Sequence, residues 1–214
     1  MKAVIFDMDG LMIDTERLYF DTERQLAKSF GKEVKDETLW KMMGRKPLEC
    51  MQIYADDLGL ALPVEEILKM RDDAFEQKLI NEVVPMPGLF EMLHGLENRF
   101  RLAIATGSPA RFVKIIMDRL KIESYFDVIQ TSDEIINGKP DPEIYLKTIE
   151  KLNVTPGECL VLEDSSNGAL AGKKAGCYVI AVPSEYTNKQ DFSFADFRAF
   201  DLNEARQHIK IKFE

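Results

Sequence analysis

Short apolar runs separated by helical patterns constrain the fold of this 214-residue chain more than any other feature. The first run, Ala3–Phe6, has the length and composition of a strand buried on both faces. Similar runs recur at residues 102–105, 128–129, 160–162 and 179–182. Strands that alternate with helices form a parallel sheet covered on both faces. The sequence therefore predicts an α/β fold with a Rossmann-like, doubly wound parallel sheet.

Capping residues mark several of the helix ends. Ser108 and Asp141, each followed by proline, predict N-caps with proline at the first helical position. Gly176 predicts the end of a helix that begins near Ser165.

One stretch interrupts the alternation, because residues 16–86 contain helical patterns but no buried-strand run. One pattern ends before Gly31, and a second runs from Pro47 to Gly59. Residues 84–88, with two prolines and a glycine, read as a stiff linker. We therefore predict a core domain of residues 1–15 and 87–214 and an inserted small helical domain of residues 16–86.

Composition and charge limit the partners. The formal net charge of −9 argues against nucleic acid and anionic membranes, since both require a basic surface. No apolar stretch approaches the length of a membrane span, and the N-terminal apolar run meets acids too early for a signal peptide. We expect a cytoplasmic monomer that acts on small molecules.

The three cysteines are widely spaced and include no CxxC pair, so a structural zinc or redox site is not indicated. Cys159 and Cys177 lie in apolar runs, which favours buried free thiols.

Two acids follow the first predicted strand directly. In an open parallel sheet, reactive groups collect at the carboxyl ends of the strands, where Asp7 and Asp9 lie. Two carboxylates held near a phosphate need a cation to neutralise them, and hard oxygen ligands favour Mg²⁺. Taken alone, however, the acids before Gly10 also fit an ordinary turn after a strand.

Four motifs in order resemble those of the haloacid dehalogenase superfamily, and the resemblance spans nearly the whole chain. The DxDGxxxDT motif is matched by Asp7, Asp9, Gly10, Asp14 and Thr15. The later motifs are matched by Thr106 after the second core strand, by Lys139 before a proline, and by the pair Glu163 and Asp164 after a further strand. Alone, Lys139 would read as a loop lysine and the acidic pair as the start of a helix.

The resemblance implies a role for each group. Asp7 would be the nucleophile that forms an aspartyl-phosphate, and Asp9 would protonate the leaving oxygen and then activate water. Mg²⁺, or Mn²⁺ or Co²⁺ in its place, would be held by Asp7, the Asp9 carbonyl and Asp164, with Glu163 behind them. Further phosphate-site residues would be Thr106, Gly107, Lys139 and, besides capping its helix, Ser108.

Within the superfamily, the insert of residues 16–86 resembles the cap domain of the β-phosphoglucomutase-like and phosphoglycolate-phosphatase-like group, and the motif phrases fit that group as well. Residues 1–15 and 87–214 would then form the Rossmann-like catalytic core. Tyr19 stands where the mutases carry a histidine, and Pro47 stands where their cap phrase carries an arginine. The second motif, Thr-Gly-Ser-Pro-Ala, also departs from the mutase pattern. These departures favour a phosphatase for sugar phosphates, with a β-phosphoglucomutase-type mutase as the alternative.

Other activities fit less well. Haloacid dehalogenases and phosphonoacetaldehyde hydrolases lack an acid at the position of Asp9, and a non-enzymatic phosphate-binding regulatory module would be expected to have lost a motif residue. We expect the cap to select the substrate, with Arg45, Lys46 and Arg71 as candidate contacts. These three cations are equally consistent with a solvated surface.

Overall fold

The computed structural model describes residues 1–43 and 45–213. The chain divides into two compact units, one formed by Met1–Asp14 with Val84–Glu214, and one formed by Thr15–Val83. We refer to them as the core unit and the helical unit. The strands, in chain order, are β1 (Ala3–Phe6), β2 (Arg101–Ala105), β3 (Val128–Gln130), β4 (Cys159–Glu163), β5 (Tyr178–Ala181) and β6 (Phe197–Arg198). The helices are α1 (Thr15–Ser29), α2 (Asp36–Met42), α3 (Pro47–Leu58), α4 (Val64–Glu82), α5 (Leu89–Leu96), α6 (Ala110–Leu120), α7 (Glu143–Leu152), α8 (Ser166–Lys174) and α9 (Leu202–Phe213).

The core unit contains one parallel sheet with the strand order β3-β2-β1-β4-β5-β6. This is the doubly wound Rossmann-type order, so the predicted α/β fold is confirmed. β1 lies between β2 and β4, and Ile5 is level with Ala103 on one side and Val161 on the other. The chain reverses its direction of travel across the sheet at β1, which makes the carboxyl end of β1 the expected ligand crevice.

The central strands are continuous apolar runs because helices cover both of their faces. Every residue of β1 is fully buried, and β4 is buried along its whole length. Helix α7 packs against β1, β2 and β3, and α8 packs against β4 and β5. The two-residue strand β6 was not predicted, since so short a segment carries no apolar run.

Two helix starts differ from the prediction. Helix α6 begins at Ala110, so Pro109 and not Ser108 is the N-cap residue, and the amide of Ala110 donates to Asp133 at 2.8 Å. Helix α7 likewise begins one residue late, although Asp141 still accepts from the Glu143 amide at 2.9 Å. The prediction for α8 is confirmed, because Ser165 caps this helix and Gly176 follows it with a positive φ of 86°.

The helical unit contains α1 to α4, with α1 and α3 both packed against α4 and with α2 packed against α3. Helix α3 starts at Pro47 and ends at Gly59, whose left-handed conformation a side chain would disfavour. Tyr54 is fully buried and its hydroxyl donates to the Glu23 carbonyl at 2.7 Å, which ties α3 to α1.

Within the described part of the chain, no helix has the length and apolarity needed to cross a membrane. The three cysteines are free and buried, which confirms the prediction for Cys159 and Cys177.

Candidate active site

The carboxyl edge of the sheet brings together side chains from four separate segments. Asp7 directly follows β1, Thr106 directly follows β2, and Glu163 and Asp164 end and follow β4. Lys139 reaches the same place from the loop between β3 and α7. The carboxyl ends of parallel strands lie at the same edge of a sheet, so residues that are far apart in sequence come together there.

A tight turn after β1 sets the position of the first two acids. The amide of Asp7 still donates to the Leu162 carbonyl at 2.9 Å, which continues the pairing between β1 and β4. The chain then turns at Gly10, whose φ of 76° is readily available to glycine, and the Gly10 amide donates to the Ile13 carbonyl at 2.8 Å. The turn keeps Asp7 and Asp9, two residues apart, at the strand end.

Lys139 is held by three acceptors at the sheet edge. Its Nζ donates to Asp7 Oδ1 at 2.5 Å, to Glu163 Oε1 at 2.7 Å and to the Ala105 carbonyl at 3.0 Å. Burial alone would lower the pKa of Lys139, but the carboxylates of Asp7 and Glu163 raise that pKa well above its ordinary value. The ammonium group is therefore a fixed positive charge beside Asp7.

Glu163 is fully buried, and hydrogen-bond donors surround its carboxylate. Oε1 accepts from Lys139 and, at 2.8 Å, from the hydroxyl of Tyr145. Oε2 accepts from the amide of Ser165 at 3.1 Å and from its hydroxyl at 2.9 Å. A buried carboxylate is tolerated when such donors satisfy its oxygens.

The two oxygens of the Asp9 carboxylate have different surroundings. Oδ2 accepts from the hydroxyls of Thr106 and Ser108, each at 2.9 Å. Oδ1 is buried and has no hydrogen-bond partner among the described residues. An unsatisfied buried oxygen is rare in folded proteins and calls for a functional explanation. In this arrangement one oxygen is anchored while the other is free to exchange a proton.

Three carboxylates at this edge can hold a cation. Oxygens of Asp7, Glu163 and Asp164 all lie within 4.8 Å of one another, and all three residues are buried. Burial, together with the Glu163 and Asp9 carboxylates and against the effect of Lys139, raises the pKa of Asp7 well above its ordinary value. A hard divalent cation would relieve this repulsion, so the donor set fits Mg²⁺ or a similar ion.

The metal-site candidates differ in how free their oxygens are. The donors around Glu163 make it the least available of the three to a cation, and the side chain of Asp9 lies outside the cluster that could hold one. Asp164 Oδ2 accepts a long hydrogen bond of 3.4 Å from Thr187.

The remaining candidates for phosphate or substrate binding are a glycine of the core unit and three cations of the helical unit. Gly107 lies exposed between Thr106 and Ser108, and a Cβ added there would meet nothing within 4 Å. Arg45, Lys46 and Arg71 all belong to the helical unit. Gly44, which precedes Arg45 in the cap phrase, lies outside the described residues.

The cations of the helical unit are not alike. Arg45 and Lys46 are exposed, and Arg45 Nε donates to the Lys41 carbonyl at 2.7 Å. Arg71 on α4 is buried, with its guanidinium 5.0 Å from the centre of the Tyr19 ring. Tyr19, at the position of the mutase histidine, stacks on Phe75 with 3.8 Å between ring centres.

Sequence reasoning missed two contributors, Tyr145 and Ser165. In the sequence, Tyr145 falls on the apolar face of a helical pattern with Ile149 and Leu152, and Ser165 marks only the start of a helix. The available signal was the hydroxyl of Tyr145, because a buried tyrosine normally requires a hydrogen-bond partner. Burial and the Glu163 carboxylate raise the pKa of Tyr145 well above its ordinary value, so its hydroxyl remains a donor.

The chain is similar to several known proteins. A phosphorylated carbohydrates phosphatase of Thermotoga maritima is 40% identical over 178 residues, which cover 82% of each chain. The mitochondrial (DL)-glycerol-3-phosphatase 1 of Arabidopsis thaliana is 32% identical over 90% of this chain and 67% of its own. Among solved structures, a candidate β-phosphoglucomutase of Thermotoga maritima has 34% identity and a TM-score of 0.86, with both chains covered completely.

The family profile of haloacid dehalogenase-like hydrolases matches residues 4–182, a span that includes all four motifs. The chain belongs to the haloacid dehalogenase-like hydrolase family.

Proposed function

We propose that this protein is a Mg²⁺-dependent phosphatase that hydrolyses small phosphorylated carbohydrates through an aspartyl-phosphate on Asp7. The observation that carries the proposal is the pairing of two differently held acids. Asp7 lies against the fixed charge of Lys139, and Asp9, two residues later, keeps one buried oxygen free. Nucleophile and proton carrier are the two functions that hydrolysis through a covalent intermediate requires.

In the first step a carboxylate oxygen of Asp7 bonds to phosphorus while the bond from phosphorus to the sugar oxygen breaks. Asp9 gives its proton to the departing oxygen, which leaves as a neutral hydroxyl. In the second step water attacks the phosphorus, Asp9 takes a proton from that water, and inorganic phosphate departs with Asp7 restored. The anchoring of Asp9 by Thr106 and Ser108 supports both transfers, since it fixes the direction of the free oxygen.

The transferring phosphoryl group carries negative charge that the site must balance. Lys139, whose side chain is 14% exposed, supplies a positive charge, and the exposed Gly107 would offer its backbone amide as a further donor. Asp7, the Asp9 carbonyl and Asp164 would hold Mg²⁺, with Mn²⁺ or Co²⁺ as substitutes, and Glu163 would support Lys139. When bound, the cation supplies charge neutralisation between the acids and the phosphate.

Two relatives support a carbohydrate substrate, because their names specify phosphorylated carbohydrates and glycerol 3-phosphate. We treat residues 16–86 as the cap domain that selects among such substrates, with Arg45, Lys46 and Arg71 as its candidate contacts. The net charge of −9 supports a small-molecule substrate over nucleic acid or an anionic membrane. We further propose that the protein acts as a monomer in the cytoplasm.

A mutase is the second candidate, and one observation favours it: the candidate β-phosphoglucomutase that matches over the whole chain. A mutase differs in passing the phosphoryl group from Asp7 to a second sugar hydroxyl, so it must keep water inactive until the sugar is in place. The aromatic stack of Tyr19 on Phe75, where mutases carry a histidine, supports hydrolysis.

The test is a direct competition between the two outcomes. Phosphate release should be measured over a panel of triose, pentose and hexose phosphates with Mg²⁺, beside a coupled assay for conversion of β-glucose 1-phosphate to glucose 6-phosphate. We expect hydrolysis of at least one panel member to exceed isomerisation. Faster isomerisation than any hydrolysis would establish the mutase instead.

The metal requirement is tested with the same substrates. EDTA should abolish phosphate release, and Mg²⁺, Mn²⁺ or Co²⁺ added in excess should restore it. Full turnover after metal removal, verified by elemental analysis, would refute the proposed cation.

A further inference from the structure

We propose that Tyr145 and Gly168 are positioning residues for phosphoryl transfer, because together they form the buried pocket in which Glu163 fixes Lys139 against Asp7. The inference deepens the phosphatase function proposed above and rests on it. Tyr145 and Gly168 end the longer phrases around the third and fourth motifs, Gly-Lys-Pro-Asp-Pro-Glu-Ile-Tyr and Leu-Glu-Asp-Ser-Ser-Asn-Gly, but the resemblance gives neither residue a role. Both act on the Glu163 carboxylate: Tyr145 donates a hydrogen bond to it, and Gly168 leaves the space that it occupies.

Tyr145 contacts both members of the buried ion pair. Its hydroxyl donates to Glu163 Oε1 at 2.8 Å, and the Lys139 Nζ lies 5.0 Å from the centre of its ring. Tyr145 is itself fully buried, so its side chain has little freedom to move. The ring therefore supports the ammonium group while the hydroxyl fixes the carboxylate that the ammonium group contacts.

Gly168 leaves space that no other residue type would leave. A Cβ built on Gly168 would lie 1.7 Å from Glu163 Oε1, 2.0 Å from Cδ and 2.3 Å from Oε2. These separations are far below van der Waals contact, so any side chain at position 168 must displace the carboxylate. Glycine is less favourable than alanine within a helix such as α8, so its presence there needs a local reason.

Displacement of the carboxylate would pass directly to the reacting groups. Glu163 Oε1 is shared by Lys139 and Tyr145, and Lys139 in turn contacts Asp7 Oδ1. Gly168 is thus connected to the nucleophile through two hydrogen-bonded side chains, Glu163 and Lys139. A shift of about 1 Å in a positioned charge can lower a rate by about 10²-fold.

The kinetic test compares four variants. Gly168→Ala should lower kcat about 10²-fold and Tyr145→Phe about 10-fold, with KM within about threefold of the wild type in both. Gly172→Ala is the matched control for Gly168→Ala, because Gly172 lies on the same helix, α8, and its new Cβ would lie 3.0 Å from the Val179 side chain and away from Glu163. Tyr178→Phe is the control for the second, since it removes a hydroxyl bonded to His208 at 2.9 Å. Both controls should keep kcat near the wild-type value.

A double-mutant cycle tests whether Gly168 acts through Glu163, and it needs no substrate. Urea unfolding should show that Gly168→Ala raises the unfolding equilibrium constant at least about 10-fold in the wild type but less than about threefold in Glu163→Ala. Removal of the carboxylate leaves room for the new methyl group, so the two effects should not add.

The outcomes separate cleanly. Equal destabilisation by Gly168→Ala in both backgrounds, or a wild-type kcat in Tyr145→Phe, would overturn the proposal. If Gly168→Ala does not fold, the kcat of Tyr145→Phe decides. A wild-type protein that releases no phosphate from any sugar phosphate would instead contradict the proposed function, and the unfolding cycle would still decide the existence of the pocket.

Discussion

Each unit of the molecule contains a buried glutamate, and the surroundings of the two carboxylates are very different. In the core unit, Glu163 is fully buried and its carboxylate accepts from Lys139, Tyr145 and Ser165. In the helical unit, Glu23 on α1 is 4% exposed, and burial raises its pKa to about 7 despite the opposing effects of Arg71 and Arg24. The core unit surrounds its buried carboxylate with directed donors, whereas at Glu23 the charges of Arg71 and Arg24 offset only part of the cost of burial.

The difference shows what a buried acid needs in order to serve in catalysis. At the sheet edge a loop lysine, a tyrosine of α7 and Ser165 after β4 supply donors to Glu163, and the acids there are held at defined positions. A helix face offers fewer fixed donors, since its backbone groups already bond within the helix. We therefore infer that acids at the sheet edge set the rate and that Glu23 affects the stability of the fold.

The largest expected effect is that of Asp7→Asn. An amide cannot attack phosphorus, so phosphate release should fall by at least about 10⁴-fold and no phosphoenzyme should form. Rate measurements and intact-protein mass spectrometry with substrate provide the check, with Asp57→Asn, an exposed acid of α3, as control. Release at the wild-type rate from Asp7→Asn would remove the covalent step.

Asp9→Asn should be the next most damaging change. It removes both proton transfers while retaining an acceptor for Thr106 and Ser108, so kcat should fall by about 10²–10⁴-fold with the fold intact. The loss should be smaller for substrates whose leaving group is a weak base, such as p-nitrophenyl phosphate, because that departure needs no proton. An equal loss for all substrates would argue against Asp9 as the acid.

Glu23→Gln tests the comparison between the two buried glutamates through the free energy of unfolding. The folded-state pKa of about 7 exceeds the ordinary value of 4.5, so the folded protein binds the proton more tightly and loses stability as the pH rises from about 4.5 to 7. Removing the charge should thus stabilise the protein by up to about 3 kcal/mol at pH 8 and have no effect at pH 4. Urea unfolding at both pH values measures this.

Two observations accompany that measurement. Glu33→Gln, which changes an exposed acid, should leave the free energy of unfolding almost unchanged at both pH values. The kcat of Glu23→Gln should remain near the wild-type value, and a loss of more than about 10-fold would break the distinction between the two buried glutamates.

The smallest effects are expected at the exposed cations of the helical unit. Arg45→Ala and Lys46→Ala should change KM by about two- to fivefold, and by different factors for different sugar phosphates, with little change in kcat. Interactions remote from the reacting atoms stabilise the ground and transition states alike. Lys69→Ala, at another exposed lysine, is the control, and a uniform loss of kcat in Arg45→Ala or Lys46→Ala would assign these cations a part in the chemistry.

Much of the architecture follows from the sequence alone. The run Ala3–Phe6 coincides with β1, and the other four runs each lie in or overlap a strand, because strands buried on both faces must be apolar throughout. The motif acids follow these strands directly, so their place at the sheet edge could be predicted from strand ends and parallel pairing. The proline and glycine at the ends of α3 were equally informative.

Only the tertiary structure determined which atoms meet at that edge. Ser108 reads as a helix cap in sequence, yet its hydroxyl binds Asp9, because helix α6 starts two residues later. Tyr145 carries no local signal of its contact with Glu163, since 18 residues separate the two side chains along the chain. Local propensity and periodicity describe one segment at a time. Hydrogen bonds between segments depend on distances that exist only once the sheet and its helices have packed.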